Sequence, residues 1–361
     1  MTKAEDKDLH LKLRFRKILF YQGYWCPIEV ELSQYETSGK TVKRVSLTDL
    51  DVLGIRYDNL FTRSVVVGDC KSGKNVPDIS RLFWIKGVSD YFGADQAYFI
   101  PATIGDHARG IAPKLGLRIL DESALVSLEG NLNIAEQALP WSDLPTYQSI
   151  SHSWGIDIPK GTKPKDDQLR FKKVYSYLSY SYWYISQHRN LLSTIEQFRE
   201  IATSLDASNP KHILLAYSGV ERFVHSILEA IAFVFAQGSR NVPGDSRKYI
   251  YGGNIELKEK EQFFRLLRTL TKSNEQLDPP YLQDIIELIG RMLRNPVGAC
   301  DVLRHISAIY LWCVHLKNKT LVPLKGGEEN TAAVVLARDA ANTFCKASGI
   351  PLELFGTLTS L

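Results

Sequence analysis

The spacing of apolar residues divides the chain into two halves of different periodicity. Up to about residue 130, segments with apolar residues at every third or fourth position alternate with short segments that are alternating or continuously apolar. From about residue 165 onward, strand-like segments are no longer found and long helical patterns follow one another. The sequence therefore predicts an α/β domain followed by an all-α domain.

The first half predicts the element order α-β-β-β-β-α-β-α-β-α, which is typical of a mixed sheet flanked by helices. Helices are predicted over 10–22, 78–93, 105–115 and 122–128. Strands are predicted over 28–32, 42–47, 50–55, 64–70, 96–100 and 117–120. The strand 64–70 is continuously apolar and β-branched at its centre, so we expect it to be buried on both faces.

The second half predicts helices only, over 169–205, 212–237, 256–271, 281–293, 299–317 and 328–348. Between the halves, Pro, Gly, Ser and Thr accumulate, which is typical of an irregular connection. We therefore expect a first domain over 1–138, a linker over 139–165 and a helical domain over 166–361.

Composition excludes several classes of protein. The chain has 361 residues and a net charge of +4, and 44% of its residues are hydrophobic, which is too apolar for a disordered chain. Its five cysteines form neither a Cys-x-x-Cys motif nor a disulfide pattern. No apolar run reaches the roughly 18 uncharged residues of a membrane helix, and the polar N-terminus lacks a signal region. We therefore expect a cytoplasmic protein that contacts no membrane.

Acidic residues and a lysine accompany two of the predicted strands. Asp51 lies in the strand 50–55, whereas Asp69 and Lys71 share one face at the end of the strand 64–70. A carboxylate at the exit of a dry strand is costly unless it is paired or bound to a metal. If these strands are neighbours, both carboxylates converge beside Lys71. Two carboxylates suit Mg²⁺, which also binds substrate phosphate, and the lysine would then orient or deprotonate an attacking water.

These residues resemble those of the PD-(D/E)xK restriction-endonuclease-like nucleases. In that family an acidic residue in one strand precedes an apolar strand ending in Asp/Glu-x-Lys, and here the pattern is Asp51 … Asp69-Cys70-Lys71. The segments that follow resemble the Mrr-type restriction and Holliday-junction-resolvase branch. They are a helix over 79–92, the run Gly-Ala-Asp-Gln-Ala-Tyr-Phe-Ile-Pro-Ala-Thr, and Leu-Gly-Leu-Arg-Ile-Leu. The resemblance covers residues 10–130.

The resemblance implies a restriction-endonuclease-like fold and a role for each residue of the motif. Asp51 and Asp69 would bind the metal, the backbone carbonyl of Cys70 would add a ligand, and Lys71 would be the catalytic lysine. The implied cofactor is Mg²⁺, with Mn²⁺ as a substitute, and the implied products carry 5′-phosphate and 3′-hydroxyl ends.

Two elements of the family pattern differ in this chain. Many members carry a Glu on the first helix, whereas the helix over 10–22 has none. The nearest candidates are Glu29 and Glu31 on the following strand, for which a polar strand face is the alternative interpretation. The Gln-x-x-x-Tyr element of the branch is replaced by Lys86 and Asp90, which we interpret only as possible supports of the site.

Basic residues near the linker are candidates for DNA contact. A DNA-binding role and a solvated surface are both open interpretations for this set, which comprises Lys74, Lys160, Lys163, Lys165, Arg170, Lys172 and Lys173. Residues 1–150 carry a net charge of −1 and residues 151–361 carry +5. If DNA is held electrostatically, the second half must therefore contribute. The Tyr-rich run over 175–184 and the pair Arg222 and His225 are predicted to be structural.

We expect a metal-dependent endonuclease that hydrolyses DNA phosphodiester bonds. The helical domain would supply oligomerisation, DNA positioning or a partner surface, and a homodimer would suit cleavage of two strands. A role in prokaryotic restriction or antiviral defence follows by analogy alone. One alternative is a catalytically degenerate nucleic-acid-binding or scaffold subunit. Another is a helical-assembly protein in which the α/β half is an accessory.

Overall fold

The structure is a computed structural model of the chain and describes residues 3–38, 41–73, 78–134, 165–272, 276–315, 317 and 330–360. The chain divides into two compact units. Of the described residues, 3–56, 63–134, 310–315 and 317 belong to the first unit. The second unit contains 57–62, 165–309 and 330–360. Most of the predicted linker lies outside the described residues.

The first unit combines helices with a five-stranded sheet. Its elements in chain order are α1 (Lys3–Tyr21), β1 (Ile28–Ser38), β2 (Thr41–Tyr57), β3 (Arg63–Lys71), α2 (Asp78–Phe92), β4 (Gln96–Pro101), α3 (Asp106–Ile111), β5 (Leu117–Ile119) and α4 (Glu122–Asn131). A short 3₁₀ turn, Ala112–Leu115, joins α3 to β5. The helices α1 and α2 end before Gly23 and Gly93, which both have positive φ, as the sequence predicts.

The sheet is mixed, with the strand order β1-β2-β3-β4-β5. β1 and β2 pair antiparallel, whereas β3, β4 and β5 are parallel to one another. The prediction of two strands over 42–47 and 50–55 is wrong, because β2 runs through both segments without interruption. The residues between them, Thr48 and Asp49, contain neither Gly nor Pro and pair with β1. The sheet therefore has five strands instead of the six predicted.

Strand β3 forms the centre of the core of this unit. Its six residues from Val65 to Cys70 are all buried, as the apolar run predicts. Helix α1 packs directly on this strand. A Cβ atom at Gly68 would lie 2.5 Å from Cε1 of Phe15, so only glycine permits this approach. Because Phe15 follows Lys12 by one helical turn, the same contact fixes where Lys12 lies.

The second unit is helical. Its described helices are α5 (Asp166–Ser176), α6 (Gln187–Arg199), α7 (Pro210–Ala236), α8 (Val242–Ile250), α9 (Asn254–Thr271), α10 (Leu282–Arg294), α11 (Pro296–Ile309), α12 (Thr331–Ser348) and α13 (Gly356–Ser360). Helix α7 is its longest, and most of its residues are buried. Helix α8 is absent from the prediction because Pro243 and Gly244 resemble helix breakers, although both stand in its first turn, where they are tolerated.

The predicted helix over 169–205 is divided in the structure. A π-helical turn, Tyr177–Ser181, follows α5, and a short helix, Tyr182–Tyr184, continues it. The backbone is then extended at Ile185, with ψ of 142°, before α6 begins. The prediction of one continuous helix is therefore wrong, although the helical class of the segment is confirmed.

One helical segment, Pro296–His315, is long and apolar enough to cross a membrane by length and composition alone. The sequence pattern does not indicate a membrane helix here, because Asp301 and Arg304 interrupt the apolar run. Of the window that meets these criteria, 72% is buried inside the structure, as in the core helix of a soluble protein.

Candidate functional site

Strands β2 and β3 bring two buried carboxylates to one place. The side chains of Asp51 and Asp69 are 3% and 2% exposed. Asp51 is joined to the neighbouring strand by a hydrogen bond in which the backbone N–H of Cys70 donates to Oδ2 over 2.7 Å. The predicted convergence of these two strands at Asp51 is therefore present in the structure.

Lys71 lies between the two carboxylates. Its Nζ is 3.3 Å from Oδ2 of Asp51 and 3.7 Å from Oδ1 of Asp69. One ammonium group thus contacts both acids, and the side chain is only partly exposed. All three residues that the sequence proposes as the centre of the site occupy a single cluster.

Lys12 is a fourth member of this cluster and is not among the residues that the sequence motif predicts. It projects from α1, the helix on which the family pattern places a Glu, and its Nζ lies 2.9 Å from Oδ1 of Asp51. Burial would lower the pKa of Lys12, but the charge of Asp51, the hydrogen bond to it and the charges of Glu29 and Asp49 together outweigh burial and raise the pKa above its ordinary value. Lys12 therefore stays protonated at neutral pH and cannot act as a general base.

Arg81 is a fifth member and is likewise absent from the residues that the sequence motif predicts. From the first turns of α2, its Nε donates to Oδ2 of Asp69 over 2.6 Å and its Nη2 donates to Oδ1 over 2.5 Å. Its guanidinium also stacks over the ring of Trp84, with 3.5 Å from Cζ to the ring centroid. This two-pronged contact fixes the planar orientation of the Asp69 carboxylate.

The environment shifts the pKa values of the two carboxylates in opposite directions. Burial would raise the pKa of Asp51, but the ammonium groups of Lys12 and Lys71 hold it below its ordinary value. Burial raises the pKa of Asp69 above its ordinary value in spite of the Arg81 guanidinium. Neighbouring acids with diverging pKa values are typical of sites that perform acid–base or metal chemistry.

The two carboxylates match the ligand chemistry of Mg²⁺, which binds oxygen atoms and keeps several of its waters. Each of their four oxygens already has a partner among Lys12, Lys71, Arg81 and the N–H of Cys70. Among the described residues, no group of three or more His, Cys, Asp or Glu is placed to hold a metal. The residues therefore suit a minimal Mg²⁺ site in which the ion would compete with Arg81 or Lys12.

The two candidates for the missing helix acid have different surroundings. Glu29 lies 3.4 Å from Nζ of Lys12, with its side chain 53% exposed, and it has a φ of 53° that non-glycine residues rarely adopt. Glu31 instead pairs with Arg44 over 3.1 Å. Glu29 is thus connected to the cluster by its ion pair with Lys12. Glu31 instead forms an ion pair with Arg44 of the neighbouring strand β2.

Among the remaining predicted residues of the first unit, Cys70 joins this cluster through its backbone N–H, whereas the described ion pair of Lys86 and Asp90 lies outside it. Lys86 pairs with Asp90 on the surface of α2, over 2.6 Å. Burial raises the pKa of the Cys70 thiol well above its ordinary value, so this thiol is not a nucleophile. Lys74 lies outside the described residues.

The predicted basic residues of the second unit are partly described. Lys160 and Lys163 lie outside the described residues. Lys165 directly precedes α5, and Lys172 lies on the exposed surface of this helix. On the same helix, Nη1 of Arg170 lies 4.0 Å from Oδ1 of Asp167. Lys173 binds Glu200 over 2.6 Å. Two of these charges are therefore partly balanced within the unit.

The Tyr-rich run contributes to the core of the helical unit. Tyr177 and Tyr182 are buried, and the Tyr182 hydroxyl lies 2.6 Å from Nδ1 of His225 and 3.0 Å from the carbonyl oxygen of Arg222. The Arg222 guanidinium lies 4.9 Å from the ring centroid of Trp183. These contacts agree with the structural role predicted for Arg222 and His225.

Lys12 and Arg81 are not predicted by the sequence pattern, because each pairs with a residue far away in the chain. One signal was present for Lys12, which borders the apolar stripe formed by Leu11, Phe15 and Leu19 on α1. A lysine at such a position either extends its ammonium group to solvent or pairs with a buried acid. For Arg81, the sequence contains no comparable signal.

Comparison of the chain with protein-family models, with curated proteins and with solved structures returns no match.

Proposed function

We propose that the first unit is a metal-dependent endonuclease of restriction-endonuclease-like fold that hydrolyses DNA phosphodiester bonds with Mg²⁺. The observation that carries this proposal is the contact of one ammonium group, Lys71 Nζ, with both Asp69, near the end of β3, and Asp51, within the adjacent strand β2. The order of strands and the diverging pKa values of the two acids support it.

In this proposal Asp51 and Asp69 hold the ion, and Lys71 orients the attacking water toward the phosphorus atom. A bound Mg²⁺ supplies positive charge to the transition state and lowers the pKa of water. Lys12 remains protonated and keeps Asp51 in place. The planar guanidinium of Arg81 can bind phosphate oxygens as well as carboxylates. If Arg81 releases Asp69, the guanidinium is placed to bind the scissile phosphate.

A second candidate function is nucleic-acid binding without catalysis. The specific observation in its favour is that all four carboxylate oxygens already have protein partners, as in a structural ion-pair network. Three cations surround the two buried acids, and the half-exposed Glu29 balances the third. Such a cluster would stabilise the fold without binding a metal.

The decisive experiment incubates the purified chain with linear, supercoiled, branched and single-stranded DNA and with RNA, in Mg²⁺, Mn²⁺ or EDTA. Metal-dependent cleavage is expected, and Lys71→Ala and Asp69→Asn should each reduce it at least about 100-fold. Lys86→Ala is the matched control, because Lys86 pairs only with the surface residue Asp90 among its described ion pairs. Undiminished cleavage in both site variants would refute the catalytic assignment. DNA binding in EDTA without cleavage in any metal would favour the second candidate.

A further inference from the structure

The charges that touch one another in the cluster around Asp51 and Asp69 are balanced. Its ion pairs join three acids to three cations, which are Asp51, Asp69, Glu29, Lys12, Lys71 and Arg81. Asp49 lies on the same face of β2 but is exposed, so water screens its charge. The cluster is therefore close to neutral before any ligand enters.

A divalent ion that enters this cluster alone brings two positive charges without a new anion. Such charge is costly where little water can screen it. The side chains of the three cations are only 11%, 27% and 24% exposed. A cation that the ion displaces therefore needs another anion close by.

Arg81 is the cation that an ion at Asp69 has to displace. Its Nε and Nη2 donate to both oxygens of this carboxylate, over 2.6 and 2.5 Å. The guanidinium also lies over the ring of Trp84, with 3.5 Å from Cζ to the ring centroid, and this contact does not depend on Asp69. A released guanidinium thus stays beside the site, with N–H donors that need an acceptor.

Lys12 is held more firmly than Arg81. Its Nζ contacts two acids, Asp51 over 2.9 Å and Glu29 over 3.4 Å. An ion that takes one oxygen of Asp51 leaves Lys12 paired with Glu29. Arg81 is therefore the cation whose partner has to change.

A phosphodiester supplies the anion that this exchange requires. It carries one negative charge and two non-bridging oxygens, which a guanidinium binds in the same two-pronged way as a carboxylate. We propose, on the basis of the nuclease function above, that Arg81 passes from Asp69 to a substrate phosphate as the metal ion takes its place on Asp69. Metal and nucleic acid then each raise the affinity of the chain for the other by the same factor. Without nucleic acid, Arg81 keeps the metal out.

The test measures the binding of Mn²⁺ to the full chain, with and without a short DNA duplex, from the electron paramagnetic resonance signal of free Mn²⁺. Asp69→Asn with the same duplex serves as the blank and corrects for ions that the DNA itself binds. The duplex should raise the Mn²⁺ affinity of the wild type at least about tenfold. Fluorescence anisotropy of the labelled duplex should show that Mn²⁺ raises its affinity equally.

Two variants should change the binding of Mn²⁺ without DNA in opposite directions. Arg81→Met removes the competing cation, so Mn²⁺ alone should bind at least about fivefold tighter, and the gain from the duplex should fall to about twofold or less. Glu29→Gln removes a half-exposed acid, so Mn²⁺ alone should bind about twofold more weakly. Lys86→Met, which changes a surface ion pair, is the matched control. Circular dichroism confirms that each variant is folded.

A duplex with uncharged methylphosphonate linkages separates phosphate charge from other contacts with DNA, and it should give no gain in Mn²⁺ affinity. Equal Mn²⁺ affinity of the wild type with and without the charged duplex, or a gain that Arg81→Met retains, would overturn the exchange and leave the proposed nuclease function standing. If no Mn²⁺ binding depends on Asp69 under any of these conditions, including Arg81→Met, metal binding itself is refuted, and with it both proposals.

Discussion

Arg81 holds Asp69 through two parallel hydrogen bonds, from Nε to Oδ2 over 2.6 Å and from Nη2 to Oδ1 over 2.5 Å. A guanidinium that donates hydrogen bonds to both oxygens of a carboxylate occupies the positions at which a metal ion would bind. The contact thus has two roles in our proposal: it stabilises the buried acid when no metal is bound, and it competes with the metal.

Replacing Arg81 with Met should separate these two roles. Asp69 would lose its principal cation, so we expect the free energy of unfolding in EDTA to fall by about 1–3 kcal/mol, less than for a fully buried pair because Arg81 is partly exposed. Mg²⁺ should then raise the melting temperature of the variant more than that of the wild type. Thermal unfolding in EDTA and in Mg²⁺ measures both effects. Lys86→Met is the control, and equal Mg²⁺ responses in all three proteins would contradict competition at Asp69.

The Asp51 carboxylate should make stability depend on pH. Its pKa is lower in the folded chain than its ordinary value. Its contribution to stability is therefore fully present above about pH 4 and is lost as the pH falls through the folded-state pKa. Asp51→Asn, which leaves Lys12 buried without its acid, should cost about 2–4 kcal/mol at pH 7. We expect this difference between the two proteins to shrink below pH 4 in denaturant titrations, and a difference that stays constant would exclude this origin.

Replacing either of two glycines with alanine should change the free energy of unfolding in opposite directions. Gly68→Ala places a methyl group 2.5 Å from the Phe15 ring, so we expect a loss of about 1–3 kcal/mol as α1 is pushed from β3. Gly87→Ala lies in the exposed interior of α2, with no atom within 4 Å of the added carbon, and should stabilise the chain by up to about 1 kcal/mol. Urea unfolding of both variants measures the contrast. Equal effects of the two substitutions would show that α1 does not depend on close approach at Gly68.

The N-terminus of α4 offers a test of helix capping. Asp121 accepts a hydrogen bond from the N–H of Ala124 and pairs with Arg109. That backbone bond and the side-chain bonds of Arg109 and Ser123 lower the pKa of Asp121 to about 2. Asp121→Ala should cost about 1 kcal/mol at pH 7, whereas Asp121→Asn, which keeps the cap, should cost less. The penalty of Asp121→Ala should fall as the pH approaches 2, and unfolding curves at several pH values would reveal it.

The part of the site that the sequence predicts is the part encoded locally. Asp69 and Lys71 belong to one strand, and Asp51 belongs to the strand that neighbours it, so a motif with fixed spacing describes all three. Lys12 and Arg81 reach the same acids from two helices, and no fixed spacing links a helix residue to its strand partner. Their positions depend on how α1 and α2 pack against the sheet.

The fold shows the same division between local and distant effects. The burial of β3 follows from its apolar run, and the ends of α1 and α2 follow from Gly23 and Gly93. The continuity of β2 through Thr48 and Asp49 does not follow from the local sequence, because it depends on pairing with β1. The break at Ile185 likewise has no Gly or Pro to mark it, although the residues on both sides have helical patterns.

All five members of the cluster, from Lys12 to Arg81, lie within the first 81 of the 361 residues and come from four of the first five elements, α1, β2, β3 and α2. Domains generally fold in order from the N-terminus while the chain is being synthesised. The residues of the cluster therefore leave the ribosome before any described helix of the second unit, the first of which begins at Asp166. A newly made chain could thus assemble its proposed metal-binding centre before the helical unit is synthesised, while Arg81 already occupies the carboxylate of Asp69.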